Sequence, residues 1–266
     1  MSIEQTVETL TRKDIREVAS VMSSDEARYL VKYYYQMQED RKRFNNQIRS
    51  MEEEPNLILS HFSKQSSTAE ATIKKALDDY TDSQPIGKWL KSHYGIGPVI
   101  AAGMMAHIDI TQAPTAGHIW SYAGLDPTKK WEKGQKRPWN PELKKLCWLL
   151  GQSFMKFSGA DQCFYGKIYL QRKQYEQERN ESGQNAELAK TLVEKYDKKT
   201  EARKHLEGGK LPPAQIDARA RRYSVKIFLS HLQMVWFKMH YGVEPPKPFA
   251  IAILGHAHMI DPPSLN

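Results

Sequence analysis

The sequence predicts a mainly α fold, and three observations carry that prediction. Apolar residues recur at helical spacing through the N-terminal stretch. Short runs rich in β-branched and aromatic residues with strict alternation are few, so strand signals are weak. Prolines and glycines fall where helices would start, turn or stop. Together they predict a helix-hairpin-helix core with a long N-terminal helical region and a helical arm.

Residues 1–84 form the N-terminal helical region. Thr11 with Asp14, and Ser24 ahead of Asp25 and Glu26, suit helix N-caps followed by acidic first turns. From Leu30 an apolar stripe runs through Tyr34, Met37, Phe44, Ile48 and Met51 at alternating steps of four and three, with Arg41 the one gap. That is a seam on a helix of about seven turns. It suits a core-facing helix or a coiled-coil homodimer equally, so this region carries the expected dimerisation. Arg41, Lys42, Arg43 and Arg49 read as a solvated face, and Tyr33, Tyr34 and Tyr35 as an aromatic face rather than a nucleophile. Pro55 breaks the pattern, and short helices are expected over 57–62 and 68–80.

Residues 85–245 form the second predicted domain. An amphipathic helix is interrupted by Gly95, Ile96 and Gly97 and resumes at Pro98, whose missing N–H suits a first helical turn. Both glycines are expected to permit a tight turn at positive φ, with Ile96 plugging the gap between the helices. Small residues at Ala101, Ala102 and Gly103 would let those helices approach closely. After a basic, aromatic loop over 131–141, a helix is expected from Glu142 to about Phe157. Residues 171–215 are polar and read as a helical arm, broken at Glu207-Gly208-Gly209 and Leu211-Pro212-Pro213. A long closing helix follows over 216–240, and 246–266 is a Pro-rich terminal segment.

The chemistry of this domain points to phosphates. Lys and Arg number 39 against 31 Asp and Glu, a net charge of +8; a surplus of that sign favours phosphate-rich partners through counterion release. The hairpin would leave backbone N–H groups of the turn and the second helix facing outward as an anion site. Lys129, Lys130, Lys133, Lys136, Arg137, Lys144 and Lys145 outnumber Glu132 and Glu142 by five, with Trp131 and Trp139 interleaved. Cations for phosphates beside flat rings for stacking suit nucleic acid. A second cluster, Arg219, Arg221, Arg222 and Lys226, shares one face of the closing helix. The expected nucleic-acid-binding residues are therefore Gly95, Ile96, Gly97, Lys129, Lys130, Trp131, Lys133, Lys136, Arg137, Trp139, Arg219 and Arg222.

Other chemistry finds less support. Cys147 and Cys163 form no Cys-x-x-Cys pair, and the longest apolar run, 98–105, is too short to cross a bilayer. With no signal-peptide pattern at the N-terminus, a cytoplasmic protein without a membrane partner is expected. His256, His258 and Asp261 are the one cluster of metal-ligand types at short spacing, but satisfied histidines are commoner, so neither metal nor cofactor is predicted. No phosphate-binding Gly-rich loop or nucleophile elbow occurs.

A resemblance sharpens the reading. Gly95-Ile96-Gly97-Pro98, then His118-Ile119-Trp120-Ser121-Tyr122-Ala123-Gly124-Leu125-Asp126-Pro127, then Lys133-Gly134-Gln135-Lys136 and Leu143-Lys144-Lys145-Leu146-Cys147-Trp148, resemble the C-terminal domain of bridge-RNA-guided insertion-sequence transposases. Order and spacing also agree over 165–173 and 218–232. The resemblance implies DNA, and a guide RNA, as partners in transposition or recombination. Two departures leave the catalytic residues unassigned. That family begins with a ribonuclease-H-like domain bearing four acidic metal ligands, whereas residues 1–80 here are helical without strand-borne carboxylates. Its C-terminal domain supplies a serine nucleophile, yet Thr128 is the only hydroxyl residue in the matching loop 128–137, and Ser121 and Ser153 fall on predicted helices. Two rival functions remain: an active transposase drawing chemistry from a partner or an unrecognised nucleophile, and a coiled-coil interaction protein that binds no nucleic acid.

Overall fold

The computed structural model describes residues 11–51, 57–246 and 260–263. Among them the regular structure is helical throughout: α1 (Arg12–Ser20), α2 (Ser24–Ser50), α3 (Leu57–Asp82), α4 (Pro85–Lys91), α5 (Pro98–His107), α6 (Ala116–Tyr122), α7 (Pro141–Lys156), α8 (Phe164–Glu181), α9 (Ala186–Leu192), α10 (Glu201–Glu207) and α11 (Pro213–Tyr241). Two short 3₁₀ turns lie at Ile110–Gln112 and Val193–Lys195. No described helix is long and apolar enough to cross a membrane.

The chain divides into two compact units. The first comprises Met1–Ser92, Ile96–Gln112 and Met239–Val243; the second comprises His93–Gly95, Ala113–Lys238 and Glu244–Asn266. In the first unit, Thr11 and Ser23 cap α1 and α2 through reciprocal capping boxes with Asp14 and Glu26. The second cap lies one residue earlier than the expected Ser24, because Glu26 must sit three residues after it to close the box. The α2 seam packs on α3 of the same chain: Phe44 stacks on Phe62 with centroids 6.2 Å apart. Arg41, the gap in the apolar stripe, is used there too, its Nε donating to Glu70 at 2.6 Å.

One long α3 replaces the two short helices expected over 57–80. The Ser- and Thr-rich middle does not break it, since Ser67, Thr68 and Thr72 turn their hydroxyls back onto carbonyls four residues earlier. Ser63 donates instead to Asn45 on α2 at 2.8 Å. Beside them lies α5, apolar on every side and therefore an interior helix; Val99, Ala101, Ala102, Gly103, Met104, Met105 and Ala106 are all buried. Arg28 on α2 ties to it, donating to the Ala106 carbonyl at 2.8 Å.

The second unit is built on an aromatic core shared by α7, α8 and α11. Tyr165 stacks on Phe154 at 5.0 Å and meets Phe228 edge-on at 5.2 Å. Cys147 and Cys163 are free thiols, both buried. The arm between α8 and α11 has its own small core of Ala189, Leu206, Leu211 and Ile216. At its root, buried Asn180 donates to the Leu211 carbonyl at 3.0 Å and accepts from the Leu211 N–H at 2.8 Å.

A second buried polar pair secures residues 260–263. His231 Nε2 donates to the Ile260 carbonyl at 2.6 Å, so its Nδ1 accepts from the Tyr165 hydroxyl at 2.9 Å. Burial holds the imidazole pKa below its ordinary 6.5; the neighbouring His93 acts in the same direction, while the Ile260 bond and Asp261 oppose it. With the folded value depressed, the unfolded chain binds the extra proton, so the contribution to stability is present above about pH 6.5 and falls as pH drops below it. Protection of the amides around Ile260, taken relative to the intrinsic exchange rate at each pH, is therefore expected to fall between pH 7 and pH 5, and the effect should disappear in His231→Gln. An unchanged wild-type protection profile would remove this pair as the fastener.

Candidate nucleic-acid interface

The turn between α4 and α5 behaves as its glycines demand, with one difference. Gly95 has φ +96°, the left-handed region, whereas Gly97 sits at φ −92°, ψ 173°, extended backbone open to any residue. Only one of the two glycines is thus required for the bend. Gly95 is fixed from behind: Ser153 of α7 donates its hydroxyl to the Gly95 carbonyl at 2.5 Å. Ile96 is buried, 5% exposed. Gly97 is exposed and serves as the N-cap of α5, and Pro98 opens the helix. No side chain caps that end, so its first-turn N–H groups lack a side-chain acceptor.

The basic loop is tethered at both ends of its span. Asn140 donates its backbone N–H to the Tyr122 carbonyl and its side-chain amide to the Tyr122 hydroxyl, both at 2.8 Å. The same side chain caps α7, accepting from Glu142 and Leu143. Asp126 folds the near end, accepting from the backbone and hydroxyl of Thr128 at 2.9 and 2.7 Å, bonds that lower its pKa. Thr128, the sole hydroxyl residue of the loop, is therefore engaged in a local turn.

The loop's cations face solvent. Lys129, Lys130, Lys133, Lys136 and Arg137 are all exposed. Trp131 is 41% exposed; its indole N–H donates to the Gln135 carbonyl at 2.6 Å, and Arg137 lies 5.2 Å from its ring centroid. Trp139 has a different task. It covers Gly124, where an added Cβ would lie 2.7 Å from the indole, and Lys144 sits 4.0 Å over its ring. Trp139 thus packs the loop, and Trp131 is the more exposed of the two tryptophans.

On α11 the basic cluster splits. Arg219 is committed to Glu176 at 3.1 Å, and Arg221 to Asp217 at 2.7 Å. Lys226 lies 4.0 Å over Trp120. Arg222 makes no ion pair among the described residues. It reaches the surface, yet crowding by its neighbours and the charges of Arg219 and Arg221 lower its pKa. Lys144 on α7 feels the same field: desolvation first, then Arg137 and Arg222, depress its pKa. The tertiary fold therefore gathers Arg137 from the loop, Lys144 from α7 and Arg222 from α11 into one positive patch.

Residues 87–162 match the model of the transposase IS116/IS110/IS902 family. That match spans the α4–α5 turn, the basic loop and α7. It supports a role in DNA transposition or recombination, with nucleic acid as the partner. No curated protein and no solved structure matches the chain.

The sequence analysis assigns neither Ser153 nor Trp148 to the interface: Ser153 falls on a predicted helix, and Trp148 enters only in the block 143–148 that carries the resemblance. Ser153 stabilises the turn from 58 residues away, which no local pattern signals. Trp148 lies within the apolar run Leu146-Cys147-Trp148-Leu149-Leu150, yet it is 59% exposed. Its spacing of four from Lys144 was the available signal, since that places both on one helix face. The histidines at 256 and 258 lie outside the described residues, among which no group of side chains is arranged to hold a metal.

Proposed function

We propose that this chain binds DNA in transposition or recombination of the insertion-sequence type, holding the sugar–phosphate backbone through a helix-hairpin-helix formed by α4 and α5. The observation that carries the reading is the N-terminus of α5, uncapped by any side chain and opening at the exposed Gly97, just after the left-handed turn at Gly95. N–H groups at such an end bind an anion with the help of the helix dipole. They touch backbone only, so they position the strand and carry no sequence information. Lys129, Lys130, Lys133, Lys136 and Arg137 add electrostatic affinity, Trp131 offers a ring to an exposed base, and Arg222 adds a cation. Arg219 and Trp139 support the surface from within, through Glu176 and Gly124 respectively. The loop chemistry suits a guide RNA as well as DNA.

The test is binding of the purified full chain to duplex DNA, single-stranded DNA and RNA across a salt series. Affinity should fall steeply, log K losing about 0.9 per phosphate contact for each decade of salt on duplex DNA. It should depend weakly on sequence. The Gly95→Ala, Gly97→Ala double variant should lose most of it while keeping its helical content. Absence of binding at low salt, or full retention by the variant, removes the hairpin as the grip.

A further inference from the structure

Behind the exposed face of Trp148 the second unit holds a cleft of about 180 Å³ between α7 and α11. Its walls are apolar: Leu125, Val225 and the backbone of Gly151 line it beside the Trp148 indole. At Gly151 the two helices approach closely, since a Cβ there would come 3.3 Å from Val225 and 3.4 Å from Arg221. Lys144 and Arg222 also line it. A cavity of about 150 Å³ takes up a benzene ring, and drug-sized ligands need at least about 300 Å³. The slot is therefore sized for one flat ring.

The surrounding charges leave that slot positive. Glu176 is shared by Arg172 at 2.5 Å and Arg219 at 3.1 Å. Asp217 is shared by Arg221 at 2.7 Å and Lys173 at 3.4 Å. Each carboxylate already pairs with two cations, and neither forms an ion pair with Arg222 or Lys144; the charge of Glu176 reaches Arg222 only in part against those of Arg219 and Arg221. Cations of one sign collected without counter-charge are costly to the fold alone, and a bound anion relieves that repulsion. An apolar slot for a ring with unneutralised cations beside it is the chemistry of a nucleotide.

We propose that this cleft is a base pocket: it receives one unpaired base of the bound strand, stacked on Trp148, while Lys144 and Arg222 meet the phosphate attached to it. This rests on the reading that the chain binds nucleic acid, and adds to the backbone grip a contact that requires a base. Base stacking on an aromatic side chain tolerates every base, but a slot for a single ring favours a pyrimidine. A free nucleotide offers the same chemistry as a strand, so the experiment separates the two.

The full chain and its Trp148→Ala, Trp148→Phe and Arg222→Gln variants would be titrated with oligothymidylate, with an equally long abasic strand, and with thymidine monophosphate. Trp148 is largely exposed, so its truncation should leave the fold intact, and circular dichroism would check that. The expected result is about tenfold weaker binding of oligothymidylate by Trp148→Ala, with no change on the abasic strand. Trp148→Phe should recover most of the loss, and Arg222→Gln should weaken both strands. Equal effects of Trp148→Ala on both strands, or none on either, would overturn the pocket while leaving the hairpin grip standing. Trp148-dependent binding of the mononucleotide without binding of either strand would overturn the strand as occupant. A wild-type chain that binds no nucleic acid and no nucleotide at low salt would overturn pocket and grip together.

Discussion

Gly97→Asp is expected to weaken binding to duplex DNA about tenfold, roughly 1.4 kcal/mol, without lowering thermal stability. Gly97 already has the extended geometry of a helix N-cap, and a Cβ built on it meets nothing within 4 Å. An aspartate there can accept from the first-turn N–H groups and complement the helix dipole, gaining a few tenths of a kcal/mol over glycine. The same carboxylate would occupy the N–H groups proposed for the phosphate and repel it. Stability and affinity should therefore move in opposite directions, which a merely structural role for Gly97 does not produce. Gly97→Asn is the control, since it caps without charge. The gap between the two variants should narrow as salt screens the repulsion. Melting temperature and fluorescence-anisotropy titration read both quantities, and wild-type affinity in Gly97→Asp would remove the α5 terminus from the interface.

The largest loss of stability is expected at Gly87. A Cβ there would lie 2.0 Å from the Thr81 carbonyl oxygen, 2.7 Å from its carbon and 2.9 Å from the Met105 sulfur. The methionine end can swing aside, but the Thr81 backbone belongs to the last turn of α3 and Thr81 is fully buried. Relief would require moving α4 off α3, in the unit whose interior is α5. Overpacking of this kind costs roughly 1–3 kcal/mol and occasionally more; a backbone clash at 2.0 Å places Gly87→Ala at the upper end, about 3 kcal/mol or above. Urea unfolding should show a much lower midpoint than wild type at an unchanged slope. A shift no larger than that of Gly97→Ala would mean that α3 and α4 separate at little cost.

Much of the helical framework was readable because its signals are local. The capping box at Thr11, Pro98 and Pro141 at helix starts, and the left-handed Gly95 each declare themselves within a few residues, while the second cap was legible only to within one residue. The Ser- and Thr-rich stretch over 63–72 misled for the opposite reason: its hydroxyls look like helix breakers, but α2 packed alongside lets the helix run through. Of the proposed interface, the exposed lysines and the turn were legible, because exposure is the default for Lys and φ is a local property. What was not legible depends on partners distant in sequence. Glu176 claims Arg219 across 43 positions, and nothing near Arg222 announces that it has none. The exposure of Trp148 was not legible from its apolar run, because only the packing of α7 decides which side of that helix is covered.

The paired hydrogen bonds of Asn180 with Leu211 have a consequence for how this protein can change over time. They bring the two ends of a thirty-residue excursion into direct contact, and that excursion packs Ala189 and Leu206 against Leu211 at its root and Ile216 of α11. A segment whose entry and exit already touch can lengthen or shrink at its outer turns while the contacts at its root stay in place, because closing a longer loop costs little extra entropy. The arm is thus a natural cassette, the place where a lineage can vary the accessory surface of the molecule while the rest is inherited intact. It is also where a designer would insert a reporter domain with the least disturbance.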